Sequence, residues 1–182
     1  MKILSSKVLY ADAFVEIVQD TCQNGSHTAV FTYLRRPGND TLTTSVVVLP
    51  VTDTGLILIK QFRVANRDYF WQLPAGIIEK GEDVHTAAQK ELQEEAGYHA
   101  DTLEIVGSAV LEPGAVAQTT VFACAKDLTK VPTHREDPED IVEIREVSFR
   151  EVDIMIEKGE ILCGFTLVGI LFMKQKGIWH VA

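Results

Sequence analysis

The chain has 182 residues, of which 46% are hydrophobic, and its formal net charge is −9 at pH 7. This length and composition suit one well-packed core with a small additional subdomain. A negative charge without a cluster of lysine and arginine argues against stable nucleic-acid binding and against attraction to anionic membranes. An anionic partner would need local neutralisation, for which a divalent cation is the obvious candidate.

The first strands in the chain are predicted from alternating apolar and polar residues. AFVEIVQD and HTAVFTYLRR fit this pattern, with a turn at TCQNGS between them. A proline- and glycine-containing break follows the second strand. We therefore expect a small antiparallel β subdomain over residues 1–40 and a main domain over residues 41–182.

The main domain mixes strands and helices without regular βαβ alternation. TSVVVLPV and GLILIKQFR predict a hairpin around the turn TDTG, and residues 84–95 predict a helix that ends before Gly97. The later elements are the strands LEIVGSAVL, TTVFACA and VEIREVSF and the helices 150–158 and 165–176. This order favours an α+β fold, a mixed α/β/α sandwich, over a doubly wound fold.

The compartment is predicted from the N-terminus, the apolar segments and the cysteines. The N-terminus lacks the apolar stretch of a signal peptide, and the apolar run over residues 161–173 is too short to span a bilayer. Cys22, Cys124 and Cys163 match neither a disulfide framework nor a zinc site. We expect a cytoplasmic protein with no membrane partner.

Three glutamates lie close together on the helix predicted over residues 84–95. Residues four apart share one helix face, so Glu91 and Glu95 project together, with Glu94 beside them. Such like charges destabilise a helix by themselves, whereas Mg²⁺ or Mn²⁺ prefers oxygen ligands and leaves positions for phosphates. The alternative is a solvated acidic face with Lys90 as compensation, which the flanking PAG and GE disfavour.

This segment resembles the Nudix box, the pyrophosphohydrolase signature G-x5-E-x7-R-E-U-x-E-E-x-G-U. The matching residues are Gly76, Glu82, Glu91, Leu92, Glu94, Glu95, Gly97 and Tyr98. Lys90 replaces the usual arginine, which keeps the charge but loses the planar fork. The resemblance implies the Nudix fold and a Mg²⁺ or Mn²⁺ site. Its ligands would be Glu91, Glu95 and the Ala75 carbonyl, with Glu94 sharing a metal and Glu82 supporting the loop.

Segments outside the box resemble the branch of that family that acts on ADP-ribose and other nucleoside diphosphate sugars. These segments are IKQFR, WQLPAG and EPGAVAQ. The resemblance implies a homodimer built through the N-terminal strands. Gln72 and Gln118 stand where ADP-ribose hydrolases commonly carry glutamate, so a broader specificity that includes GDP-mannose is about equally expected.

The expected substrate-binding residues are Arg63, Arg67, Tyr33, Trp71, Pro113 and Gly114. The two arginines would contact phosphate, and the two aromatic residues would stack on a base. A surface cation is the simpler interpretation of Arg67, and an aromatic residue on a strand more often belongs to the core.

The resemblance also implies a general base in the acidic loop HREDPEDIVE. Glu139 is the first candidate, Glu136 the second, and Glu94 the choice if neither acts. The predicted reaction is attack of water on a phosphorus atom, giving a nucleoside monophosphate and a sugar 1-phosphate. The alternatives are an RNA or dinucleoside-polyphosphate pyrophosphohydrolase, which the acidic charge disfavours, and a non-catalytic Nudix module that senses a nucleotide sugar. The intact set of box glutamates disfavours the second.

Overall fold

The computed structural model describes residues 1–37, 43–133 and 140–179. The chain forms two compact units. The first comprises Met1–Thr44 together with Val110–Thr119, and the second comprises Ser45–Ala109 together with Thr120–Ala182. The boundary expected after residue 40 lies outside the described residues and stays a prediction, whereas the membership of Val110–Thr119 was not anticipated.

The strands are β1 (Lys2–Ala11), β2 (Glu16–Asn24), β3 (His27–Arg35), β4 (Thr43–Pro50), β5 (Gly55–Arg63), β6 (Asp68–Gln72), β7 (Ala75–Ile77), β8 (Tyr98–Ala109), β9 (Val116–Ala117), β10 (Thr119–Lys130) and β11 (Ile141–Ser148). The α-helices are α1 (Val84–Glu91), α2 (Phe149–Glu157) and α3 (Gly164–Gln175), and a π-helical turn covers Leu92–Ala96.

The first unit is a sheet in the order β1-β2-β3-β9, antiparallel except for the parallel pair β3–β9. The turn predicted at TCQNGS was wrong in extent, because β2 continues to Asn24, which pairs with His27. The connection needs only two residues, since Gly25 has a φ of 61° that suits a tight hairpin turn. The strand β1 was not predicted.

The second unit contains two sheets, in the orders β7-β4-β10-β8 and β11-β5-β6. The predicted hairpin of β4 and β5 was therefore wrong: the two strands belong to different sheets, joined by one bridge between Val51 and Leu56. Residues Val46–Leu49 and Leu56–Ile59 are all buried. Without polar alternation, the sequence carries no signal for which strand pairs with which.

The core of the second unit has two layers, one on each side of the strands. Val47 and Leu49 pack in the cluster that includes Met155 of α2 and Met173 of α3. Val46 and Val48, which point to the opposite side of β4, belong to a separate cluster that includes Ala87 and Ala88 of α1. This confirms the predicted α/β/α sandwich within an α+β fold.

The helix predicted over residues 84–95 exists, but its second half is a π-helical turn. Asp83 caps the helix by accepting the N–H groups of His85 at 3.0 Å and Thr86 at 3.2 Å. Its hydrogen bonds with Thr86 lower the pKa of the Asp83 carboxyl. Gly97 ends the helix with a φ of 73°. Single π turns inside α-helices are frequent at functional sites, and this one carries Glu94 and Glu95.

None of the helices within the described residues has the length and hydropathy needed to cross a bilayer.

Candidate active site

Glu95 is fixed by the backbone of the short strand β7. The Ala75 N–H donates to Glu95 Oε2 at 2.8 Å, and the glutamate side chain is only 1% exposed. The strand itself is held in register with β4, because Ala75 pairs with Val47 and Gly76 pairs with Val46. A buried carboxylate is thus anchored to a rigid element of the second unit.

Glu91 lies against the next residue of the same strand. A Cβ atom placed on Gly76 would lie 1.9 Å from Glu91 Oε1 and 2.1 Å from its carboxyl carbon. With the Glu91 carboxylate in this position there is room for a hydrogen atom only, so any larger residue at position 76 would displace the carboxylate. Two carboxylates therefore converge on the dipeptide Ala75–Gly76.

This convergence fits a hard divalent cation. Two carboxylates held near one dipeptide repel each other, whereas a cation bound between them would attract both. Carboxylate and carbonyl oxygens are the ligands that Mg²⁺ and Mn²⁺ prefer. Across residues 1–37, 43–133 and 140–179, no group of three or more histidine, cysteine, aspartate or glutamate side chains is placed to hold a metal ion. The candidate site consists of the Glu91 and Glu95 carboxylates and the backbone of Ala75–Gly76.

Glu94, the predicted third carboxylate, lines a shallow depression of about 590 Å³ beside α1. The other lining residues are His85, Thr86, Gln89, Lys90, Gln93 and Leu103. The role of Glu94 as a metal ligand or as a reserve general base stays a prediction.

Two other residues of the glutamate motif organise the loop before the helix. Glu82 Oε2 accepts the N–H of Glu79 at 3.0 Å, and the N–H of Glu82 donates to the Glu79 carbonyl at 3.0 Å. Lys90 Nζ lies 3.2 Å from Glu79 Oε1. Glu82 thus closes a tight turn with Glu79, and Lys90 ties that turn to α1. The role of Glu82 in supporting the loop stays a prediction.

Arg63 is linked to a pair of buried amides. Its Nε donates to Gln72 Oε1 at 2.9 Å, and Gln72 Nε2 donates to Gln61 Oε1 at 2.8 Å. Gln72 is 2% exposed and Gln61 4% exposed, whereas Arg63 reaches the surface. Gln61 was missed by sequence reasoning, although a polar residue that follows the apolar run LILI on the same strand was a usable signal.

Arg67 occupies the turn between β5 and β6. Its φ is 55°, and its N–H donates to the Arg63 carbonyl at 2.8 Å. The side chain is exposed. Its predicted contact with phosphate stays a prediction.

Trp71 lies in the core rather than on an open surface. It is 8% exposed, and the Arg145 guanidinium carbon lies 4.7 Å from its ring centroid. This placement favours packing and a cation–π contact over stacking on a substrate base.

The remaining predicted substrate residues belong to the first unit. The Tyr33 hydroxyl donates to Asp20 Oδ2 at 3.2 Å, and burial raises the pKa of Tyr33. Pro113 and Gly114 are exposed in the segment Val110–Thr119. The structure thus brings Glu91, Glu95, Ala75 and Gly76 together in the second unit. Tyr33, Pro113 and Gly114 belong to the first unit.

The general-base candidates Glu139 and Glu136 lie outside the described residues. Asp140, which follows them, is anchored to the β5–β6 hairpin: its carbonyl accepts the Phe62 N–H at 3.0 Å, and its Oδ2 accepts the Tyr69 hydroxyl at 3.2 Å. The Asp140 charge raises the pKa of Tyr69. Asp140 is therefore fixed beside the strand that carries Arg63.

A carboxylate helix packed on a glycine-containing strand, within an α/β/α sandwich, is the arrangement that the sequence predicts for a hydrolase acting on pyrophosphate bonds. Comparison with known proteins agrees: the NUDIX domain model matches residues 41–163. An ADP-ribose pyrophosphatase of Bacillus subtilis is 31% identical over 177 residues, covering 96% of this chain and 90% of that protein. The chain belongs to the Nudix family.

Further similarities extend over nearly the whole chain. A methanol dehydrogenase activator of Bacillus methanolicus is 25% identical over 183 residues, covering 98% of this chain and 96% of that protein. The crystal structure of an ADP compounds hydrolase superposes with a TM-score of 0.83 at 20% identity, covering 99% of this chain and 96% of that one. The last similarity confirms the predicted fold. Nudix hydrolases generally use divalent metal ions.

Proposed function

We propose that the protein is a metal-dependent pyrophosphohydrolase that cleaves nucleoside diphosphate sugars, ADP-ribose or GDP-mannose among them, to a nucleoside monophosphate and a sugar 1-phosphate. The observation that carries this proposal is the convergence of Glu91 and Glu95 on Ala75–Gly76. The similarity to the Bacillus subtilis ADP-ribose pyrophosphatase over 96% of the chain supports a nucleotide-sugar substrate.

Glu91, Glu95 and the Ala75 carbonyl would hold Mg²⁺ or Mn²⁺. When bound, the ion supplies charge stabilisation to the phosphate oxygens and to the leaving group. The protein's own contribution is positional. Ala75 N–H fixes one carboxylate, Gly76 leaves room for the other, and Arg63 offers a cation for the diphosphate.

The proposal is tested by incubating the purified protein with Mg²⁺ and separate substrates, followed by chromatographic identification of the products. The panel contains ADP-ribose, GDP-mannose, a diadenosine polyphosphate and 5′-triphosphorylated RNA, each with an excess of chelator as control. We expect a nucleoside monophosphate and a sugar phosphate from the nucleotide sugars. Turnover of only the last two substrates would favour the polyphosphate alternative, and tight binding of a nucleotide sugar without turnover would favour a sensing module.

The general base is assigned to Glu139, with Glu136 second. Glu139→Gln should lower kcat by about a hundredfold or more with little change in substrate binding, because an amide cannot accept the proton from the attacking water. Glu136→Gln, the same change three residues earlier in the sequence, should cost much less. If neither change costs more than about threefold at saturating Mg²⁺, the base lies elsewhere and Glu94 becomes the leading candidate.

We also propose a homodimer assembled through the first unit. Its sheet keeps large apolar side chains in contact with solvent on both faces. Ile3, Val8 and Phe31 lie on one face, and Tyr10, Val30 and Leu34 lie on the other. A second copy of the chain is the simplest cover for such a surface.

The three cysteines carry free thiols, which suits the cytoplasm.

Val30→Asp should therefore yield a monomer, because a carboxylate would be buried at the interface. Sedimentation should show the wild type at twice the 20.2 kDa mass of the chain and the variant at that mass. Val142→Asp is the control, since Val142 is 52% exposed on a strand of the second unit and Val30 is 57% exposed. Deletion of the residues before Thr41 should cause aggregation, and a soluble, active monomer after that deletion would contradict the dimer.

A further inference from the structure

The β5–β6 hairpin carries a chain of three polar side chains on one of its faces. Residues 59, 61 and 63 point to the same side of β5, and Gln72 lies on that side because it pairs with Ile59. Arg63 pairs with Asp68, at the other end of the hairpin from Gln72. To reach Gln72 Oε1 at 2.9 Å, its side chain must run back along the sheet toward the segment that leads into Ala75.

That face is the one that packs against the carboxylate helix. Ile57 and Ile59 precede Gln61 in the same alternation and belong to the core cluster of Leu92 and Ala96 in the π-helical turn. The Arg63 guanidinium is therefore on the same side of the sheet as the helix that carries Glu91 and Glu95.

The partner that holds Arg63 is neutral. Gln72 Nε2 donates to Gln61 Oε1 at 2.8 Å, which turns the Gln72 carbonyl oxygen toward Arg63. Both amides are at least nine-tenths buried, so their orientation is set by these hydrogen bonds. Among the ion pairs of the described residues, none involves Arg63, and the nearby Asp68 carboxylate accepts the Tyr69 N–H at 2.8 Å.

We propose that Gln72, oriented by Gln61, is a positioning residue that fixes the Arg63 guanidinium while leaving its positive charge available to the diphosphate of the substrate. An amide oxygen accepts the Nε hydrogen bond without neutralising the cation. In this chain, a carboxylate at the same position, such as the glutamate that ADP-ribose hydrolases commonly carry there, would form an internal ion pair with Arg63 and reduce the charge that Arg63 offers to phosphate. This inference rests on the proposed function for the identity of the anion.

The test introduces that carboxylate. Gln72→Glu should weaken the binding of inorganic pyrophosphate, measured by calorimetry with Mg²⁺ present, by about tenfold, and it should flatten the salt dependence of binding. The KM for any nucleotide sugar that is turned over should rise by a similar factor, with kcat changed less than about threefold. Gln175→Glu, the same chemical change at an exposed position near the end of α3, should leave both quantities unchanged.

A double-mutant cycle separates positioning from a general structural effect. In the Arg63→Gln background, Gln72→Glu should cause no further loss of pyrophosphate binding, because the cation that it neutralises is absent. If Gln72→Glu does not fold, Gln61→Leu replaces it. That change removes the acceptor that orients the amide, and it should weaken binding about threefold, only when Arg63 is present.

Unchanged pyrophosphate binding in Gln72→Glu would overturn the inference, and so would an equal loss with and without Arg63. Failure of the proposed function is a separate result: the wild type would then hydrolyse none of the nucleotide sugars, whatever the coupling between Gln72 and Arg63.

Discussion

The Glu95→Gln protein should fold normally and lose pyrophosphohydrolase activity by about a thousandfold, because a neutral amide is a poor ligand for a hard cation and removes charge stabilisation at the reacting phosphates. The glutamine oxygen can still accept the Ala75 N–H that Glu95 now accepts at 2.8 Å, so the contact that anchors this side chain is kept. The measurement is kcat/KM at saturating Mg²⁺, together with the melting temperature.

Glu104→Gln is the matched control for this variant. Glu104 is 54% exposed and pairs with Lys126 at 3.5 Å, an arrangement that contributes little to stability. A loss in Glu95→Gln no larger than that in the control would contradict the proposal that Glu95 is a metal ligand.

Gly76→Ala should lower activity by about a hundredfold without any change in charge. The added methyl group would lie 1.9 Å from Glu91 Oε1, so the Glu91 carboxylate must move, and a displacement of about 1 Å at a reacting centre has a cost of that order. The expected signature is a loss of kcat/KM with little change in melting temperature, because the displaced atoms are the end of a flexible, half-buried side chain.

A second substitution tests the cause of that loss. In a Glu91→Ala background the carboxylate is gone, so Gly76→Ala should not lower the residual activity further. Wild-type activity in the single Gly76→Ala variant would show that Glu91 does not need its present position.

The parts of the site that the sequence predicts are those encoded locally. Glu91 and Glu95 are four residues apart, and Gly97 ends their helix, so one short segment contains the whole pattern. The π-helical turn has no comparable signal, because its hydrogen-bond pattern depends on how Leu92 and Ala96 pack in the core. The position of Gly76 against Glu91 likewise depends on tertiary packing.

The sequence predicts the class of the fold correctly, but it does not predict which strands pair with each other. The sandwich follows from apolar strands mixed with helices, whereas β4 and β5 are apolar on both faces and give no indication of their neighbours. The Arg63–Gln72 contact joins residues nine positions apart across a hairpin. The resemblance points to both residues, and only the structure shows that they touch.

The parallel pairing of Leu34 with Val116 has a consequence for biosynthesis. The ribosome makes β1, β2 and β3 first, and then five further strands and α1 before β9 emerges. During that interval one edge of the first sheet has its backbone donors and acceptors unpaired, a template for other strands. Completion of the amino-terminal unit therefore has to wait for a segment from the middle of the chain, and the two units cannot be separated by a single cut in the gene.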